Sequence, residues 1–306
     1  MPQDQSLPDI ARLRDAVARI EAGRAGARSI AVRRRCSAPD GELPPVGLGD
    51  GTLPLDRTLA GGLRRGALHE VVAAHKQDDA AAAGFALAVA GRCAGAGSLV
   101  WIVEDCAASE TGAPYRPGLA AHGIDPDRLI LVRTGDARAT LWALEEALRL
   151  RAPAVLAELW GTKHYGLAPS RRLLLAAQAG RGTAILLHTG LAGRGATLSS
   201  AAETRFAVAS CPSPCAPSAG NRMPIPGAPA VTVRLLKLRL GAAAGADRYR
   251  GVDLDHALVW DPNRRCFDAH PLPVGVPAPV ADRPAQAGRN RSPVSDVIAI
   301  GRARAG

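Results

Sequence analysis

The polar residues best placed for chemistry stand where apolar runs end. The segment Ala67–Ala73 leads through Ala74-His75-Lys76-Gln77 into Asp78, Asp79 and Ala80, at the start of a helical stretch. Such strand-to-helix turns hold phosphates when glycines let backbone N–H groups face the anion at the helix N-terminus. This turn contains no glycine. Its two carboxylates suit the positive end of a helix dipole and would repel a triphosphate. Glu104 ends the run Trp101-Ile-Val-Glu104, and Glu158 ends Ala154–Glu158; acids there can activate water or hold a cation beside a phosphate, or simply meet solvent. His188 closes a further apolar run. Lys163, His164 and Tyr165 fall in the loop Trp160–Ala168, and Arg194 lies among glycines in Gly190–Ala201. Both loops are slightly basic, which suits phosphate contact or solvent alone. Cys211-x3-Cys215 and Cys266-x3-His270 lack the tight spacing of zinc ligands, and no metal is expected.

The elements that must position these residues alternate. The patterning predicts strands over Ala67–Ala73, Ser98–Val103, Arg128–Arg133, Ala154–Glu158 and Thr183–His188. Helices are expected over Asp78–Ala94, Tyr115–His122, Arg138–Arg151 and Pro169–Gly180. Short, mostly apolar strands separated by helices imply an α/β fold with a mostly parallel central sheet flanked by helices on both faces. Three later segments, Glu203–Ser210, Val231–Leu240 and Val252–Trp260, have no helix between them and read as antiparallel strands extending the sheet.

With hydrophobic residues at 47% and aromatics at only 3%, the core must be built from Ala, Leu and Val. The net charge of +10 sits mainly at the ends: residues 1–36 hold eight Arg against four acids, and 271–306 hold five against two. Basic ends can contact DNA phosphates or remain solvated tails. The expected organisation is an N-terminal helix and basic segment over 1–36, a Pro/Gly-rich linker over 37–52, one α/β domain over 53–270, and a disordered Pro/Ala/Arg tail over 271–306. Six scattered cysteines do not form a secreted disulfide framework. With no leader-like N-terminus and no long apolar segment, they point to the cytoplasm.

The run Gly51-Thr-Leu-Pro-Leu-Asp56, the Gly61/Gly62 pair and Gly66-Ala-Leu-His-Glu-Val-Val-Ala73 resemble the approach to the Walker A loop in the RecA family. In the register this resemblance sets, the pattern G-x4-G-K-[ST] falls on Ala73, Asp78, Asp79 and Ala80, so both glycines, the lysine and the magnesium-binding hydroxyl are replaced. Glu104 then matches the water-activating glutamate of RecA-like ATPases, and Glu158 stands at the Walker B position. The degraded loop, Gly61-Gly-Leu-Arg-Arg-Gly66, the late Leu235-Leu-Lys-Leu-Arg239 and Trp260-Asp261 are most similar to the ImuA family of damage-inducible mutagenesis proteins. That resemblance implies a RecA-like fold without catalysis or cofactor. It also implies a role in SOS mutagenesis and translesion synthesis beside an ImuB-like polymerase-related protein and an error-prone C-family DNA polymerase. Two alternatives stay open: a modulator that binds RecA filaments, and a residual DNA-dependent ATPase.

Overall fold

Strands buried on both faces need neighbours on both edges and helices above and below, and this requirement organises the computed structural model, which describes residues 43–191, 198–216, 225–239 and 254–270. Strands β1 (Leu68–Ala73), β2 (Leu99–Glu104), β4 (Ala154–Trp160) and β5 (Thr183–Thr189) are buried almost throughout. With β3 (Leu129–Thr134), β6 (Thr204–Ser210), β9 (Ala230–Leu238), β10 (Asp255–Asp261) and β11 (Cys266–Ala269) they form, among the described residues, a nine-stranded sheet ordered β11-β10-β9-β6-β1-β5-β4-β2-β3. Two-residue strands β7 (Cys215–Ala216) and β8 (Ile225–Pro226) pair separately.

The expected alternation is present, with one change of direction. β6 was expected to be antiparallel, yet it runs parallel to β1 and antiparallel to β9, so the switch of direction comes one strand later. The parallel part therefore comprises β6, β1, β5, β4, β2 and β3, and β9 to β11 supply the antiparallel extension.

Two apolar layers enclose the sheet. Helix α1 (Pro54–Thr58) begins the described helices, and α2 (Asp79–Ala94) covers one face. The almost uniformly apolar α2 places Phe85, Ala86 and Val89 against Val71, Leu156, Ile185 and Phe206. Short helices α3 (Asp105–Thr111) and α4 (Arg116–Ala121) follow β2. The opposite face carries α5 (Ala137–Arg149) and α6 (Leu167–Gly180), whose Leu144, Leu148 and Leu173 pack on Leu68, Val155 and Leu186. No helix among the described residues is long and apolar enough to cross a membrane.

The expected linker is corrected over its described part. Val46 and Leu48 are core residues, although Pro and Gly surround them. Val46 and Leu63 exchange backbone hydrogen bonds, and the Leu48 carbonyl accepts from Phe267 N–H in β11. Asp56 fixes this strap: its buried carboxylate accepts from Leu48 N at 2.7 Å and Gly49 N at 2.9 Å. Gly62 has φ +131°, and a Cβ there would stand 2.2 Å from the Val46 carbonyl oxygen. The Leu-Pro-Leu-Asp and Gly-Gly signatures thus have a local purpose, which is to lay residues 46–49 along the sheet. The expected segments over 1–36 and 271–306 lie outside the described residues.

Candidate functional site

The residues expected to form a degenerate nucleotide site lie at the carboxyl ends of β1, β2 and β4, where the strand-to-helix connections meet. After Ala73 the chain makes a single 3₁₀ turn, Lys76–Asp78, before α2 begins. Asp78 is 2% exposed and turns back into the protein. Its Oδ1 accepts from Ser210 N at 2.9 Å and Ser210 Oγ at 2.7 Å, and its Oδ2 accepts from His75 N at 3.1 Å. Burial opposes ionisation of Asp78, but the bonds from Ser210 and His75 outweigh it and hold its pKa below the ordinary value. A carboxylate of the chain itself therefore takes up one amide of the turn, His75 N, and stitches the turn to the end of β6 through Ser210.

The neighbouring positions fit that picture. Asp79 is half-buried at the first turn of α2; burial and the adjacent Asp78 raise its pKa against the pull of Lys76. Ala80 offers no hydroxyl. Glu104 accepts from Trp160 N at 2.9 Å through Oε2 and so ties β2 to the end of β4. Glu158 accepts from Trp101 Nε1 at 2.9 Å. Burial raises the Glu158 pKa and the Trp101 bond only partly offsets this, so the site favours a neutral acid more than water does. Ala73, Asp78, Asp79, Ala80, Glu104 and Glu158 do gather at one end of the sheet, and the three buried acids among them each accept from a group of the chain.

The second set of expected contact residues divides. Lys163 is exposed and His164 is half-buried in the loop 161–166, while Arg194 lies outside the described residues. Tyr165 is corrected. It is only 8% exposed, and its hydroxyl donates inward to Glu70 Oε1. An aromatic ring packs inside when a buried acceptor awaits its hydroxyl, whatever the polarity of its neighbours.

That acceptor belongs to a cluster the sequence reading passed over. Glu70, 0% exposed in the middle of β1, receives Arg205 Nε from β6 on Oε2 at 2.6 Å. Arg205 Nη2 continues to Ser200 Oγ at 2.9 Å, and Lys237 Nζ donates to the Ser200 carbonyl at 2.6 Å. His188 Nε2 stands 3.9 Å from Glu70 Oε1, beyond hydrogen-bond distance, and its ring lies edge-on to Tyr165. Burial disfavours the Glu70 charge, but His188, Arg205 and Tyr165 together hold its pKa down at about 2. The Tyr165 hydroxyl is pushed up by burial and by the Glu70 charge. A signal was available: an acid in β1 and a base in β6, each the one charged residue of a mostly apolar strand, are cheapest to bury as a pair.

Among the described residues no group of three or more His, Cys, Asp or Glu side chains is arranged to hold a metal ion. A shallow apolar depression lies elsewhere, at the edge of the sheet, lined by Val103, Ala108, Pro114, Leu131 and Arg133. No protein-family model matches the chain, and no curated protein matches it.

Proposed function

We propose that this protein is a RecA-like accessory factor without ATPase activity that acts in the cytoplasm during SOS-induced mutagenesis, bridging an ImuB-like protein and an error-prone C-family DNA polymerase in translesion synthesis. The resemblance of the degraded loop, Gly61–Gly66, Leu235–Arg239 and Trp260-Asp261 to the ImuA family supports the pathway, and the arrangement around Asp78 supports the absence of catalysis. That single carboxylate carries the reading: it takes up Ser210 N and His75 N internally, and it places negative charge where a triphosphate would need attraction. Glu104 and Glu158 serve as hydrogen-bond acceptors between strands in this reading, with no phosphate to act upon.

Two measurements test it. Isothermal titration with millimolar ATP and magnesium should give no saturable heat; saturable binding that Asp79→Lys fails to strengthen would locate a nucleotide pocket elsewhere and overturn the scaffold reading. Affinity capture from DNA-damaged cells should recover the polymerase-related partners. Recovery of RecA alone would replace the bridging role with a filament modulator. Direct DNA contact, if the basic termini provide it, should weaken steeply with salt, because each neutralised phosphate releases counterions.

A further inference from the structure

Beneath the β4–α6 loop, side chains from four places in the chain join two connecting segments through the interior. Tyr165 reaches in from the loop 161–166 to Glu70 on β1. Glu70 holds Arg205 on β6, and Arg205 holds Ser200 in the segment 198–203 that precedes β6. Each of these four residues is less than one-tenth exposed. We propose that Tyr165, Glu70, Arg205 and Ser200 form a relay that makes the loop 161–166 and the segment 198–203 change position together. The relay operates whichever macromolecule meets these segments, so it stands or falls apart from the function proposed above.

Two features make the arrangement switchable. The first is the sharing of Arg205. With Tyr165 seated on Oε1, the guanidinium bonds Glu70 Oε2 through Nε and sends Nη2 to Ser200. A guanidinium fork prefers both oxygens of a carboxylate. Once Tyr165 leaves, Oε1 needs a new donor, and Nη2 can supply it by letting Ser200 go. Departure of one segment therefore loosens the other without any contact between their backbones.

The second is His188. It is buried completely, and neither ring nitrogen has a hydrogen-bond partner while Tyr165 packs edge-on against it at 4.9 Å between centroids. Stranding a buried imidazole is unfavourable, and a Tyr165 that swings outward opens the ring to water. The inward seat thus carries an internal cost that the outward one relieves. The other groups facing the cluster are Lys237, which donates to the Ser200 carbonyl, and Ser170, whose Oγ accepts from Ala201 N at 2.8 Å and donates to the Gly166 carbonyl at 2.6 Å. The Tyr165 hydroxyl also interacts directly with the Ser200 side chain, which gives the relay a short arm of its own beside the Glu70–Arg205 arm. Ser170 is a separate route between the same segments, and the test must separate it from the relay.

Hydrogen exchange of the full-length chain does so, because each segment has bonded amides to report on it: Tyr165 N on Thr162 O, Ala201 N on Ser170 Oγ, and Glu203 N on Leu68 O. Tyr165→Phe keeps the ring and leaves the Ser170 route intact. It should accelerate exchange of the Ala201 and Glu203 amides by about tenfold or more, along with that of residue 165, while β4 and β5 amides stay unchanged. Acceleration confined to 161–166 would overturn the relay. Should Tyr165→Phe loosen β4 and β5 as well, Ser200→Ala decides alone: acceleration of the Tyr165 amide supports the relay, and an unchanged Tyr165 amide overturns it.

Discussion

Replacing Asp78 by Ala removes the acceptor for two backbone amides and one hydroxyl, Ser210 N, His75 N and Ser210 Oγ, at 2.9, 3.1 and 2.7 Å. A buried donor left without a partner costs about 1–3 kcal/mol. Both amides are only part-buried, so water can reach them in the variant and the lower end applies to each; the hydroxyl can rotate to solvent and adds little. The sum is a loss of about 2 kcal/mol, or roughly 4–8 °C in Tm for a body of this size. Asp78→Asn keeps one acceptor oxygen and should lose about half as much. Because the folded state depresses the Asp78 pKa, the advantage over Asp78→Ala is full above the ordinary carboxylate range and shrinks as pH falls through it. Urea unfolding at pH 7 and at pH 3.5 measures both effects. A loss below about 0.5 kcal/mol at pH 7, or one that does not shrink in acid, would show that the carboxylate does not hold the turn, and the physical basis for a closed nucleotide site would go with it.

Arg205→Met leaves Glu70 charged and buried without its main partner and should cost about 3–5 kcal/mol, whereas Glu70→Leu combined with Arg205→Met should recover most of that; equal losses for the single and double variants would refute the pairing. Glu158→Gln retains an acceptor for Trp101 and removes a carboxylate that burial disfavours, so Tm at pH 7 should hold or rise, with the difference vanishing in acid where Glu158 is protonated; a clear fall in Tm would assign the charge a structural or ligand-binding role. His69, wholly buried between Thr204 Oγ1 and the Arg64 carbonyl, has its pKa lowered to about 4 by burial. The unfolded chain then binds the extra proton, so stability should fall as pH drops from about 6.5 to about 4. A His69→Gln chain should show a flatter urea midpoint across that window, and an unchanged slope would refute the assignment.

The order of strands and helices was legible because β1, β2, β4 and β5 are buried on both faces and so read as mostly apolar runs. Helix α3 was missed because Ala107 is its one buried residue, which leaves no apolar period to detect. The direction of β6 was not legible either, since side-chain pattern reports burial and not chain sense. Residues 43–52 read as a linker because Pro and Gly dominate them, yet two apolar side chains, Val46 and Leu48, suffice to anchor the strap once Asp56 satisfies its amides. At the candidate site, Asp78, Glu104 and Glu158 were readable as acids at the start of a helical stretch or the end of an apolar run. The inward Tyr165 was not, because its acceptor Glu70 lies 95 positions away in the chain.

The place of β1 in the sheet also bears on how the chain acquires its structure during synthesis. β1 leaves the ribosome before any other strand of the sheet, yet its neighbours are β5 and β6: Leu68 lies beside Ala184, and His69 beside Thr204. Both partners emerge more than a hundred residues later, while β2, β3 and β4 can already pair with one another. Throughout that interval β1 presents two unpaired edges and the Glu70 carboxylate, whose neutralising Arg205 does not yet exist. Long-range pairing of this kind slows folding and prolongs exposure of sticky edges. Chains truncated before residue 205 should therefore be recovered in aggregates or bound to chaperones, with the central strand, and not the sheet margin, as the segment that fails.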